Sequence, residues 1–126
     1  LSNVGTGAAI LTDKLPSEHW EQCQVVSWFR RKYGPMRIFA IPNGGWRSKA
    51  TAMKLKVEGV VRGVPDLYVP EVNLWIEMKR LKGGRLSPEQ RDWARYLDSI
   101  GHTFLECHGH EHAIEQIDAF MAERFP

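Results

Sequence analysis

The stretch Gly63-Val64-Pro65-Asp66-Leu67-Tyr68-Val69-Pro70-Glu71-Val72-Asn73-Leu74-Trp75-Ile76-Glu77-Met78-Lys79 decides how this chain is read. Two apolar runs, Asp66 to Val69 and Leu74 to Lys79, flank the turn-forming Pro70-Glu71-Val72-Asn73, which predicts a β-hairpin with a four-residue connection. A hairpin centred on that connection sets Val69 opposite Leu74 and Asp66 opposite Glu77. Directly opposed side chains of an antiparallel pair have Cβ atoms about 4.5–5.5 Å apart, and like charges there repel. Alternation along the strand puts Glu77 and Lys79 on one face with Trp75, and Leu74, Ile76 and Met78 on the other. Two carboxylates and an ammonium group are therefore expected on one patch, with a cation needed between the acids.

Before the hairpin, Ser17 precedes a helix-period segment over residues 17–33 that stops at Gly34-Pro35. Arg37 to Ile41 predicts a short strand, ended by the turn Pro42-Asn43-Gly44-Gly45. Ser48 is placed to cap a helix through Ala52, Met53, Leu55 and Lys56 that Gly59 closes. After the hairpin, Ser87-Pro88-Glu89-Gln90 has the form of a capping box with proline at the first helical position, and Gly101 ends that helix. Thr103 to Cys107 is a further strand, and Ala113, Ile114, Ile117, Phe120 and Met121 form the inner face of a last helix. The predicted order is α, β, α, β, β, α, β, α. It gives an α/β domain with a mixed, mainly four-stranded sheet flanked by helices.

The 126 residues, 43% hydrophobic and 25% charged, fit one globular domain over residues 17–126 after a loose tail over 1–16. The two cysteines, Cys23 and Cys107, make no disulfide framework, and no apolar run is long enough to span a bilayer. The chain thus reads as cytoplasmic, with no membrane partner and no small-molecule cofactor. The net charge of +2 hides a division. Residues 30–62 carry nine basic side chains against Glu58 alone, whereas residues 98–126 carry six acids against Arg124 alone. The basic segment is a candidate phosphate-binding surface.

Hard ions such as Mg²⁺ or Mn²⁺ take oxygen ligands, and one or two protein carboxylates commonly suffice because water and substrate phosphate fill the other positions. Asp66 and Glu77 supply that number. An ion there activates water and neutralises phosphate charge, with Lys79 available to orient the water or stabilise the developing charge.

Pro65-Asp66, ten intervening residues and Glu77-Met78-Lys79 resemble the signature of PD-(D/E)XK nucleases. A wider string resembles their VRR-NUC branch. It runs through Glu21-x-x-Gln24, Ile41-Pro42-Asn43-Gly44-Gly45, Lys56-x-Glu58-Gly59, Gly63-Val64-Pro65-Asp66-Leu67, Trp75-Ile76-Glu77-Met78-Lys79 and Ser87-x-x-Gln90-x-x-Trp93. The resemblance covers about residues 17–107 and implies a restriction-endonuclease-like core and a metal-dependent DNA phosphodiesterase of a bacterial or phage-infected cell, of the kind used in repair or recombination. On this resemblance Asp66, Glu77 and the Met78 carbonyl hold metal, Lys79 is the catalytic lysine, Glu21 reaches the site through metal-bound water or a second ion, and Gln90 touches Lys79 or substrate. Branched DNA, a Holliday junction or a flap, is the substrate it implies, and cutting two symmetric strands calls for a homodimer.

Simpler roles stand beside several of these. Glu21 suits a first helical turn on electrostatic grounds, and Gln90 already completes a capping box. Asn43-Gly44-Gly45 is a turn, yet its glycines let backbone amides approach a phosphate, and Trp46-Arg47 adds a stacking face and a charge. With Lys49, Lys54, Lys56 and Arg62, these residues are the expected DNA contacts. Cys107-His108-Gly109-His110-Glu111-His112 has zinc-like ligand types but no distant ligand pair, which favours a polar helix entrance. The alternative to an enzyme is a catalytically silent DNA-binding or partner-binding module.

Overall fold

A computed structural model describes residues 15–42 and 46–126. Most of the expected tail, and the expected DNA contacts Asn43, Gly44 and Gly45, lie outside the described residues. Helix α1 (Glu18–Tyr33) starts at Ser17, whose hydroxyl accepts the Trp20 amide at 3.0 Å, and turns Val25 and Phe29 inward. Strand β1 is only Phe39–Ala40, shorter than the expected Arg37–Ile41. At its start the Arg37 amide donates to the Glu71 carboxylate at 3.0 Å, a side-chain bond in place of a ladder bond. Helix α2 (Lys49–Val57), capped by Ser48, buries none of its residues.

The central hairpin is β2 (Leu67–Val69) and β3 (Leu74–Lys79), joined by a 3₁₀ turn over Pro70–Val72 and by Asn73 in a left-handed conformation at φ 50°. Its register pairs Val69 with Leu74, Tyr68 with Trp75 and Leu67 with Ile76, the centring expected from the sequence. Helix α3 (Pro88–Ser99) then crosses over to β4 (Thr103–His108), and α4 (His110–Arg124) follows. The sheet order is β1-β2-β3-β4, antiparallel except for the β3–β4 pair, which is parallel as a helical crossover requires.

One sheet face carries the core. Leu67, Val69, Leu74, Ile76, Met78 and Cys107 are fully buried there with Val25 and Phe29 of α1 and Ala113, Ile117 and Met121 of α4. Each large apolar side chain so buried contributes about 1.5–3 kcal/mol. Asp118 ties the two helices together, accepting from Lys32 Nζ at 2.9 Å and from the Tyr33 hydroxyl at 2.5 Å. The opposite face of β3 presents Trp75, Glu77 and Lys79. Among the described residues no helix is long and apolar enough to cross a membrane.

Candidate active site

Asp66 sits just before β2, where the pairing of the hairpin continues through its side chain. Its Oδ2 accepts the Met78 amide at 2.8 Å, and its carbonyl accepts the Ile41 amide at 2.8 Å. This grip sets the Asp66 carboxyl beside Glu77, close enough for each carboxyl to perturb the other. The convergence expected from the hairpin is therefore present.

The electrostatics of the pair are unfavourable as it stands. Glu77 is only 2% exposed. Burial, then the facing Asp66, push its carboxyl up to about 8, against the pull of Lys79. Burial likewise raises Asp66, although the Met78 amide, Glu77 and Lys79 oppose it. Glu77 Oε1 is buried with no protein N–H or O–H donor aimed at it, the one such side-chain atom among the described residues. The other oxygen is well held: Oε2 accepts Gln90 Nε2 at 3.0 Å and lies 3.7 Å from Lys79 Nζ.

Gln90 performs both roles that compete for it in the sequence. Its Oε1 accepts the Ser87 amide at 2.8 Å, closing the capping box of α3, and also accepts Lys79 Nζ at 3.0 Å. Its Nε2 meanwhile donates to Glu77. The start of α3 is thereby locked to the acid pair and the lysine. Gly63 helps to place it: at φ +90°, a Cβ at Gly63 would come within 2.8 Å of the Glu89 backbone, so only glycine permits this approach.

Glu21 does something else. Its Oε1 accepts the His110 amide at 2.9 Å and meets His110 Nδ1 at 2.5 Å. His110 is the first residue of α4, and the N-cap, Gly109, has no side chain to offer. Glu21 therefore caps α4 from a different helix, a use of carboxylate against a helix N-terminus that the sequence reading assigned to its own helix. Glu21 does not join Asp66 and Glu77 in a donor cluster, since no group of three or more His, Cys, Asp or Glu side chains able to hold a metal forms among the described residues. The α1 acid whose charge acts on Glu77 is Glu18, which the sequence reading missed. The signal was available: Glu18 precedes Glu21 by one helical turn and shares its side of α1.

The expected DNA contacts fall into two groups. Arg47, Lys56 and Arg62 line an open groove of about 910 Å³ between α2 and the start of α3, whereas Lys49 and Lys54 are exposed on α2. Within the histidine run, His110 meets Glu21, and His108 and His112 are used locally. His108 Nε2 pairs with Glu106 at 2.7 Å, His112 Nδ1 accepts the His108 amide at 3.0 Å, and Cys107 faces the core.

The donor set fits a hard divalent ion. A buried and a partly buried carboxyl face each other, one Glu77 oxygen lacks a donor, and the burial and repulsion that raise Glu77 are what a cation would offset. Asp66 and Glu77 would hold it, leaving its remaining positions to water and substrate oxygens.

Residues 7–111 match the VRR-NUC domain family. A solved structure of a VRR_NUC domain protein superposes with a TM-score of 0.70 at 25% sequence identity, covering 83% of this chain and 88% of its own. No curated protein matches the chain. With the hairpin register, the facing acid pair and the lysine already in place, the match over most of its length settles the matter: the chain belongs to the VRR-NUC family and is a nuclease-family domain.

Proposed function

We propose that this protein is a Mg²⁺- or Mn²⁺-dependent DNA endonuclease that hydrolyses phosphodiester bonds in branched DNA, such as Holliday junctions or flaps, in repair or recombination. The observation that carries the reading is the Asp66–Glu77 pair, a partly buried and a buried carboxyl brought together, with one Glu77 oxygen lacking a donor and Lys79 Nζ 3.7 Å from the other.

Asp66 and Glu77 bind the ion, and the Met78 carbonyl is the third protein ligand that the family resemblance implies. An ion held by these residues would supply charge neutralisation at the phosphate and activation of water as a nucleophile. Lys79, 8% exposed and held by Gln90 Oε1, presents a fixed ammonium group beside the pair. It holds the attacking water or stabilises charge that builds on the phosphate. Gln90 keeps Glu77 Oε2 and Lys79 Nζ in register, and Glu18 adds negative charge that favours a cation in the pocket. The basic groove receives the phosphate backbone. Cutting both strands of a symmetric junction requires a second copy of the chain, so the active form on junctions is a homodimer.

The test incubates plasmid, four-way junction and flap DNA with the protein in Mg²⁺, Mn²⁺ or EDTA. Cleavage is expected with either ion and absent in EDTA, and Lys79→Ala is expected to lose about 10²–10⁴-fold in rate. A Lys79→Ala protein that cuts as fast as the parent would overturn the site, and DNA binding without cleavage under any ion would establish a silent module.

A further inference from the structure

Trp46 is 90% exposed, Met53 62% and Val57 80%, on a segment whose helix buries nothing. Isolated exposed apolar residues are ordinary, but here three large ones occur within twelve positions, beside a groove. Residues 46–62 carry Arg47, Lys49, Lys54, Lys56 and Arg62 against Glu58. The groove's lining includes Gly63 and Glu89, which in the sequence lie three residues before Asp66 and one before Gln90.

We infer that this segment is a strand-separating grip, in which Arg47, Lys56 and Arg62 hold the phosphates of one DNA strand while Trp46 stacks on an unpaired base of that strand. The inference rests on the nuclease reading of the adjacent site and gives it a substrate class: DNA with unpaired nucleotides beside a duplex. Charge selects the occupant. A second copy docked through the same surface would oppose two strongly basic segments, which costs association energy, whereas a polyanion gains it. An exposed aromatic ring flanked by cations is the chemistry that holds unstacked bases, and apolar side chains such as Met53 and Val57 are the kind that wedge beside an opened base step. An anionic membrane surface satisfies the cations but would have to enter a groove that Glu89 also lines.

The test measures binding in EDTA, where cleavage plays no part. The probes are a short duplex, the same duplex with a single-stranded gap holding a fluorescent base analogue, and anionic phospholipid vesicles. The parent protein is expected to prefer gapped DNA and to quench the analogue. Trp46→Ala, at so exposed a position, leaves the fold intact and is expected to abolish the quenching and weaken gapped-DNA binding about 5- to 100-fold, with little effect on the duplex. Lys56→Ala is expected to weaken both DNAs alike and to lower the salt dependence by about one ion. Equal effects of Trp46→Ala on both DNAs, or on neither, would overturn the grip. So would vesicles that displace gapped DNA, or a dimer in free solution that Met53→Glu dissociates. Quenching without cleavage in Mg²⁺ or Mn²⁺ would sink the nuclease reading alone, and cleavage without quenching would sink the grip alone.

Discussion

Glu77 carries opposite demands, because it is buried as a neutral side chain would be yet placed to work as an anion. Its carboxyl is raised from an ordinary 4.5 to about 8 by burial and by Asp66, so the folded protein holds a proton that the unfolded chain releases. The sign follows: without divalent ions, the contribution of Glu77 to stability is fully present below pH 4.5 and is lost as pH climbs through 8. Urea unfolding across that range should show the decline. Glu77→Gln, which keeps an acceptor for Gln90 and removes the charge, should flatten the profile and unfold at higher urea near neutral pH, while losing nuclease activity. Of this residue, the position and the facing partner were legible in the sequence, because strand alternation and hairpin centring are geometric. Its burial was not, since that depends on α3 folding over the pair, and so neither was the size of the electrostatic cost.

Element by element, side chains couple helices to the site. Gln90 joins the capping box of α3 to Glu77 and Lys79, so its two ends have separable functions. Gln90→Glu keeps the acceptor for Ser87 and Lys79 but replaces the donor to Glu77 with a carboxylate. The helix cap should therefore survive while cleavage falls about 10- to 100-fold, measured as kcat on one DNA substrate. Gln90→Ala should lose the cap as well, at about 1 kcal/mol in urea unfolding. The motif Ser87-x-x-Gln90 announces the cap in one dimension, but that one amide can serve cap and site together is a property of three. Glu21 is the counter-example. Sequence similarity points it at the metal, whereas in the fold its oxygen receives the first amide of α4. The reason lies ninety residues away, where Gly109 leaves a helix start without a side-chain cap. Glu21→Ala should then cost about 1–3 kcal/mol by stranding a buried amide, and any activity loss should follow the fraction unfolded. Glu21→Gln should recover much of the stability through its amide oxygen.

At the scale of the whole molecule, the sheet order and the single parallel pair follow from the succession of elements. The hairpin sets β2 beside β3, and the helix between β3 and β4 is long enough for a parallel crossover. The apolar periods of β3 and α4 accordingly identified the buried face, whereas on α1 the buried residues are Glu21, Val25 and Phe29 while Trp20 and Cys23 are exposed. Strand β1 was over-read by sequence because the apolar run Arg37 to Ile41 does not reveal that the Arg37 amide bonds to the Glu71 side chain. Charge is divided along the chain: Arg47, Lys56 and Arg62 line the groove, while the acidic C-terminal segment begins with Asp98 at the end of α3. On the proposed function, a polyanion meets two carboxyls that would repel it unless a cation lay between them.

Calorimetric titration of Mn²⁺ at neutral pH into the parent protein, Glu77→Gln and Lys79→Ala, each also assayed for DNA cleavage, tests that arrangement most directly. The parent is expected to bind Mn²⁺ and cut, Glu77→Gln to do neither, and Lys79→Ala to bind Mn²⁺ without cutting. Mn²⁺ binding by Glu77→Gln equal to that of the parent, or cleavage by the parent with no bound ion, would contradict it.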